Sequence, residues 1–222
     1  MQPTQITPAP WSLTGNGYIF LYRFSSEFAE KHGFLADYQQ KRFKGIIGTV
    51  MLVNYETSGV GPYQELLFIP GLFDFGGKNA FSISKIYVST YNSVWNGINN
   101  WGIPKELADF EWKSNGPYDD ITVRLGDTEI FSAQLKKVGW QFPLTTALTP
   151  VTVAQAHAQD LICTKPTAQG KGQWTRLLHL NANPSYFPNL TLAKPLAVIA
   201  ANRFRMTFPV PVIEQDFFKA IT

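Results

Sequence analysis

The 222-residue chain carries little charge: Asp, Glu, Lys and Arg make up 16% of it, against roughly 25% in an ordinary soluble domain. With 45% hydrophobic residues, this balance is the opposite of the one that keeps chains disordered. Cys163 is the only cysteine, which excludes an intrachain disulfide and a thiolate-based zinc site. The three histidines, His32, His157 and His179, lack metal-ligand spacing and read as structural or solvent-facing, so neither a metal nor a cofactor is expected. Basic residues barely exceed acidic ones, 19 to 16, and are scattered apart from Lys41-Arg42-Phe43-Lys44. A nucleic-acid binder concentrates its cations on one face, so that cluster reads as a solvated helix end and no nucleic-acid partner is expected. No apolar run reaches the length of about 18 residues that a membrane span requires. The segment Met1-Gln2-Pro3-Thr4-Gln5 lacks the basic and apolar regions of a secretory signal. The expected compartment is therefore cytoplasmic, where the sequon Asn189-Leu190-Thr191 has no use.

Aromatic residues are plentiful, at 14% of the chain, and demand a large apolar interior. Helix signals are few. Ser25 to His32 begins with capping-type and acidic residues and ends at Gly33. Phe34 to Lys44 reads as a second short helix, Val151 to Leu161 as helix or strand, and Glu214 to Ile221 as a terminal helix. The rest reads as strand and turn: Tyr18 to Tyr22, Ile46 to Tyr55, Leu66 to Ile69, Ser82 to Thr90, Ile121 to Leu125, Glu129 to Leu135, Trp174 to Asn181 and Leu196 to Phe208. Gly126-Asp127-Thr128 is a hairpin turn, and Gly170-Lys171-Gly172 reads as another. Strands joined by turns, with few crossover helices, predict an α+β, mostly β fold: an antiparallel β-barrel or cone with a few short helices. No linker or repeat interrupts residues 1–222, which read as one domain with residues 1–10 as an extended N-terminal arm.

Two segments carry chemistry. In Asn96-Gly97-Ile98-Asn99-Asn100-Trp101-Gly102-Ile103-Pro104-Lys105-Glu106-Leu107-Ala108, Pro104 suits the first position of a helix, which places Lys105 on a first turn. The positive end of the helix dipole and apolar surroundings both lower a lysine's pKa, and a free amine attacks carbonyls to form a Schiff base. An exposed lysine at a helix end fits the same pattern. In Thr57-Ser58-Gly59-Val60-Gly61-Pro62-Tyr63-Gln64-Glu65, the carboxylate opens the apolar run Leu66 to Ile69. It sits either at the wet end of a strand or in a pocket.

Together these segments resemble the acetoacetate decarboxylase family. Ile103-Pro104-Lys105-Glu106-Leu107-Ala108 is similar to its apolar-Pro-Lys-Lys-Leu-Gly motif, and Ser58 to Glu65 to its Ser-Gly-x-Gly-x-Tyr-x-Glu element. The order of elements agrees from about Tyr18 to Ile213. The resemblance implies the family's barrel or cone and a homo-oligomer. It places Lys105 at the nucleophile position and Glu65 at an active-site glutamate position. Acetoacetate decarboxylase is itself a standard example of a lysine activated by its surroundings. The iminium it forms draws electrons from the bond that breaks.

Three departures bear on the substrate. Glu106 stands where the family has a second lysine. Val50 stands at or near the position where the family has an active-site glutamate on the preceding strand. The arginine that the family uses to meet the substrate carboxylate aligns near Gly15-Asn16, where this chain has no cation, and Gly97-Ile98-Asn99 stands in place of a Gly-Arg-Glu element. Arg23 is the substitute cation. The implied function is a Schiff-base lysine lyase of decarboxylase, aldolase or dehydratase type, acting on a keto acid or other carbonyl compound, with classical acetoacetate decarboxylation disfavoured. Its substrate-binding candidates are Glu106, Tyr63, Trp101, Val50, Ile98 and Arg23. The alternative is a non-catalytic protein holding a small apolar ligand in the same cavity.

Overall fold

The computed structural model describes residues 2–147 and 151–220. The chain begins with β1 (Trp11–Tyr22), α1 (Ser26–His32), β2 (Phe43–Gly45), β3 (Gly48–Thr57), β4 (Tyr63–Ile69), β5 (Leu72–Phe75), β6 (Lys78–Phe81), β7 (Lys85–Val88) and α2 (Tyr91–Trp101). It continues through β8 (Glu106–Leu107), β9 (Asp109–Asn115), β10 (Tyr118–Leu125), β11 (Thr128–Thr145), β12 (Val153–His157) and β13 (Asp160–Thr164). The long strands β14 (Thr167–Ala182) and β15 (Ala197–Phe208) follow, then β16 (Val212–Glu214) and α3 (Phe217–Ala220).

Ten strands form one sheet in the order β8-β7-β4-β3-β1-β15-β14-β11-β10-β9, and six form a second, β16-β13-β12-β6-β5-β2. In the large sheet only the β7–β8 pairing is parallel. Its edge strands, β8 and β9, are separated in the chain by Ala108 alone, so the sheet curls until its two edges adjoin. This is the expected, nearly closed antiparallel barrel. Among the described residues no helix is long and apolar enough to cross a membrane.

Alternation along the strands of the large sheet builds two cores, and Phe73, Phe75, Ala80, Ala154 and Leu161 form a smaller third on the second sheet. Phe20, Val50, Leu52, Leu66 and Phe68 point inward and meet Ile121, Val123, Phe131 and Leu135 from the far side of the curl. Leu13, Val53, Tyr55, Leu67 and Ile69 point the other way and pack beneath Trp101, Val153 and Phe204. Residues from Leu66 to Ile69 are thus buried on both faces, which is why they read as an unbroken apolar run rather than an alternating one. Phe20, Phe68 and Phe131 have no exposed surface, and truncating such a residue to Ala costs about 3–5 kcal/mol.

Several elements depart from expectation. Phe34 to Lys44 is not a helix but a single 3-10 turn at Asp37–Gln39 followed by β2. Phe34 and Lys41 take left-handed backbone angles. Gln39 is held in the interior by Ser82 Oγ at 2.7 Å and the Ile83 carbonyl at 3.2 Å. The Lys41–Lys44 cluster therefore ends no helix. Val151 to Leu161 resolves as the β12–β13 hairpin, with Ala158 left-handed in its turn. Glu214 closes β16, and among the described residues only the four of α3 are helical near the C-terminus; the expected helix end at Ile221 lies outside the described residues. Gly170-Lys171-Gly172 is not a turn: it lies within β14, where a Cβ on Gly172 would fall 2.3 Å from the Phe142 ring. The Gly126–Asp127 turn joins β10 to β11 as expected.

Candidate active site

The Ser58–Gly61 loop aims the start of β4. Ser58 Oγ accepts from the Val60 amide at 3.1 Å, and Gly61 sits at φ +85°. A side chain on Gly59 would collide with the Trp11 indole at 2.5 Å. From there Tyr63, Glu65, Leu67 and Ile69 face one side of the sheet and Gln64, Leu66 and Phe68 the other. The carboxylate of Glu65 is not at a wet strand end; the residue is 4% exposed.

Lys105 does not stand on a helix's first turn. The helix is α2, which precedes it. Thr90 caps its start and Gly102, left-handed at φ 65°, caps its end. Only glycine takes that angle without strain, and Pro104 then prevents any continuation. The chain turns back so that Lys105 lies along α2 toward its interior face. The lysine stem passes directly over Gly97, where a Cβ would come within 2.6 Å of Lys105 Cδ. The ammonium group uses all three donors: to Glu65 Oε2 at 2.9 Å, Ser93 Oγ at 3.1 Å and Tyr63 Oη at 3.4 Å. Tyr55 donates to the other Glu65 oxygen at 3.1 Å. Lys105 Nζ also lies 4.9 Å from the centre of the Tyr63 ring.

Burial by itself would push the Lys105 amine below the usual lysine value. The Glu65 carboxylate and Tyr63 outweigh it, and the amine is held above that value. This reverses the expectation drawn from a helix N-terminus, and no helix end lies behind the lysine to lower it. Burial pushes the Tyr63 hydroxyl up to about 12, with Lys105 restraining the rise. Tyr55 is raised well beyond the normal range, chiefly by burial and then by the Glu65 charge.

These groups sit in the wall of a cavity of about 270 Å³. The rest of the lining is almost wholly apolar, with Leu13, Met51, Val53, Ile83, Trp101 and Met206 among its residues. Among the described residues, Glu65 and Lys105 are the only charged groups that line it. Trp101 is fixed by donating its indole N–H to the Pro209 carbonyl at 2.8 Å and by edge contact with Trp11.

The other candidates lie elsewhere. Val50 faces the inner core, because it is out of phase with Met51 and Val53, and Val53 is the residue directly opposite Glu65. Ile98 packs against the apolar cluster without lining the cavity. Arg23 is exposed beyond the end of β1. Glu106 is exposed and paired with Lys85, so it points away from Lys105. Ser93 and Tyr55 belong to the site but carry no sequence motif, and Gly97 belongs to it as the glycine of the Gly97-Ile98-Asn99 element. A helix from Thr90 to Gly102 would have aligned Ser93 with Gly97, four residues on. Tyr55 is the cross-strand partner of Tyr63. Among the described residues no group of three or more His, Cys, Asp or Glu is placed to hold a metal.

The acetoacetate decarboxylase (ADC) family model matches residues 45–216. No curated protein matches the sequence. The chain is similar in structure to acetoacetate decarboxylase from Legionella pneumophila, at TM-score 0.71 and 14% identity over 93% of this chain and 88% of that one. It is similar to an acetoacetate decarboxylase-like enzyme from Sphingomonas wittichii RW1, at TM-score 0.70 and 10% identity over 96% of each. It is also similar to the enduracididine biosynthesis enzyme MppR complexed with pyruvate, at TM-score 0.67 and 13% identity over 96% of this chain and 93% of that one.

Proposed function

The chain belongs to the acetoacetate decarboxylase family, and from that premise we propose that it is a lysine-dependent carbon–carbon lyase. Lys105 forms a Schiff base with a carbonyl substrate. The observation that carries this reading is the buried Lys105–Glu65 pair at the wall of an apolar cavity. A carbonyl compound entering the cavity displaces water and weakens the solvation of both charges. Glu65, 2.9 Å from the amine, takes its proton, and the neutral amine adds to the carbonyl carbon. After the addition the nitrogen passes a second proton to the carbonyl oxygen and Glu65 returns the first, so the oxygen leaves as water and the iminium nitrogen keeps one hydrogen. The iminium then occupies the place of the ammonium, beside a carboxylate that is again ionised. Charge is conserved across the cycle, so the apolar lining never faces an unpaired ion. The iminium accepts the electron pair of a breaking C–C bond, in decarboxylation or in retro-aldol cleavage.

Among the described residues no arginine lines the cavity to clamp a substrate carboxylate. The substrate class is therefore an apolar ketone, aldehyde or keto acid larger than acetoacetate. Borohydride reduction in the presence of such compounds should add the substrate's mass to Lys105 irreversibly. An adduct that persists in Lys105→Ala, or the absence of any adduct, rejects this reading.

A second reading rests on the raised Lys105 pKa: the lysine stays an ammonium and the cavity only stores an apolar ligand. In that case Lys105→Ala leaves ligand affinity unchanged and no adduct is trapped.

A further inference from the structure

The large sheet has a second cavity, of about 400 Å³ and opposite character. It lies where β1, β3, β4 and β15 face β9, β10 and β11. Gln64 on β4 stands opposite Asn54 on β3, and Asn54 opposite Asn16 on β1. Asn202 on β15 extends this row of amides, because it lies in a bulge where Asn202 and Arg203 together oppose Asn16.

The bulge is held in place. Asn16 Oδ1 accepts from the Arg203 amide at 2.8 Å, and Asn16 Nδ2 donates to Glu56 at 2.7 Å. Arg203 is left-handed at φ 46°, an unfavourable angle for a residue with a side chain, and bulges of this kind re-aim their neighbours. Asn202 lines the cavity, and its amide nitrogen is buried without a hydrogen-bond partner. Asn54 and Gln64, both half-buried, line the same space. A buried polar group without a partner is costly, and here Asn202 carries such a nitrogen in the wall of a space that Asn54 and Gln64 also border.

The opposite wall supplies the cavity's charged groups. Asp119 accepts from Tyr18 and Ser114 and pairs with Lys137 at 2.9 Å. Both charges are thus already compensated. Trp112, stacked on Tyr18, gives this wall an aromatic surface.

We propose that this cavity binds a neutral polyhydroxylated molecule of monosaccharide size. Amides both donate and accept, as hydroxyl groups do, so Asn54, Gln64 and Asn202 can serve a hydroxyl-bearing ligand in either direction. An ionic ligand finds no unpaired counter-ion here. An apolar ligand would strip the amides of water and leave them unsatisfied. The aromatic wall suits the C–H face of a sugar ring. The first cavity has none of these amides, so the two sites select different chemistry.

Calorimetric titration of the full chain with neutral hexoses and hexitols tests this, with hexuronates and hexosamines as charged counterparts. Binding of a neutral member is expected, weakened about tenfold by Asn202→Leu and by Gln64→Leu, as the loss of a hydrogen bond requires, and unchanged by Glu106→Gln, which lies outside both cavities. If Asn202→Leu does not fold, Gln64→Leu and Asn54→Leu carry the same comparison. No neutral binding, binding of the charged counterparts alone, or neutral binding indifferent to these variants overturns the proposal and leaves a cavity filled by solvent only.

Discussion

The two faces of the β1–β3–β4–β15 region are built from adjacent residues with opposite outcomes. Glu65 and Val53 face an apolar cavity, while Gln64 and Asn54, their immediate neighbours, face a polar one. Each cavity contains one lysine–carboxylate pair. Lys105 and Glu65 are both 5% exposed at their side chains, whereas Lys137 is 26% exposed against 2% for Asp119. The comparison teaches that the same pair has different uses according to its surroundings. On the function proposed above, the pair in the apolar cavity is the proton donor and acceptor for a carbonyl guest. In the polar one, Ser114, Tyr18 and Lys137 already occupy Asp119.

The sharpest way to break this comparison is to remove one charge from the dry side. Glu65→Leu leaves the Lys105 ammonium buried without a counter-ion, which should cost about 3–5 kcal/mol in denaturant unfolding. Adding Lys105→Met to it should recover most of that loss, because a buried pair replaced by apolar residues is often neutral. A double variant as unstable as the single one would show that the pair itself holds the fold.

Gly97→Ala should have the next largest effect. Its methyl group would overlap the Lys105 stem and displace the amine, so the yield of borohydride-trapped adduct should fall severalfold. Overpacking costs about 1–3 kcal/mol, partly offset by the roughly 1 kcal/mol that alanine gains over glycine in a helix. Full trapping in this variant would place the reactive amine elsewhere.

The pairs should also differ in pH dependence. Lys105 titrates above its ordinary value of 10.5 in the folded chain. The stability it adds is complete below that value and is lost as pH rises through the folded pKa. Burial opposes ionisation of Asp119, but hydrogen bonds from Ser114, Tyr18 and Lys137 outweigh it and hold its carboxyl below the ordinary value of 3.8. Its contribution is complete above that value and is lost as pH falls through the folded pKa. Unfolding measured against pH should therefore lose part of its alkaline limb in Glu65→Leu/Lys105→Met and part of its acid limb in Asp119→Asn. Interchanged limbs would contradict these assignments.

The smallest effect is expected at Glu106→Gln. Its carboxylate is half exposed and paired with Lys85 outside both cavities, so stability should change by less than about 1 kcal/mol. Trapping at Lys105 should not change, and a lost adduct would return Glu106 to the site.

Most of the strands were legible because apolar alternation, turn glycines and prolines act locally. The Pro104-Lys105 and Tyr63-Gln64-Glu65 runs were legible because their spacing is specific. Val50 was misplaced by a single position, and in a strand one position exchanges the two faces. The helix before Lys105 was overlooked because Tyr91 to Trp101 contains asparagines, a glycine and a serine, which are weak helix formers. It is stabilised instead by its caps and by packing of Trp101. Phe34 to Lys44 had helical spacing but lost to the burial of Gln39, a contact with residues more than forty positions away.

The sequence by itself determined that the chain is a β-rich, nearly closed sheet and that Lys105 and Glu65 are the residues to examine, since hydrophobic period and motif spacing are properties of neighbours along the chain. Only the tertiary structure decided that the two meet 2.9 Å apart, that Gly97 and Ser93 hold the lysine there, and that Gln64, Asn54 and Asn202 share a second cavity. Those facts depend on register between strands and on which face a curled sheet turns inward, and both are settled by contacts between residues far apart in sequence.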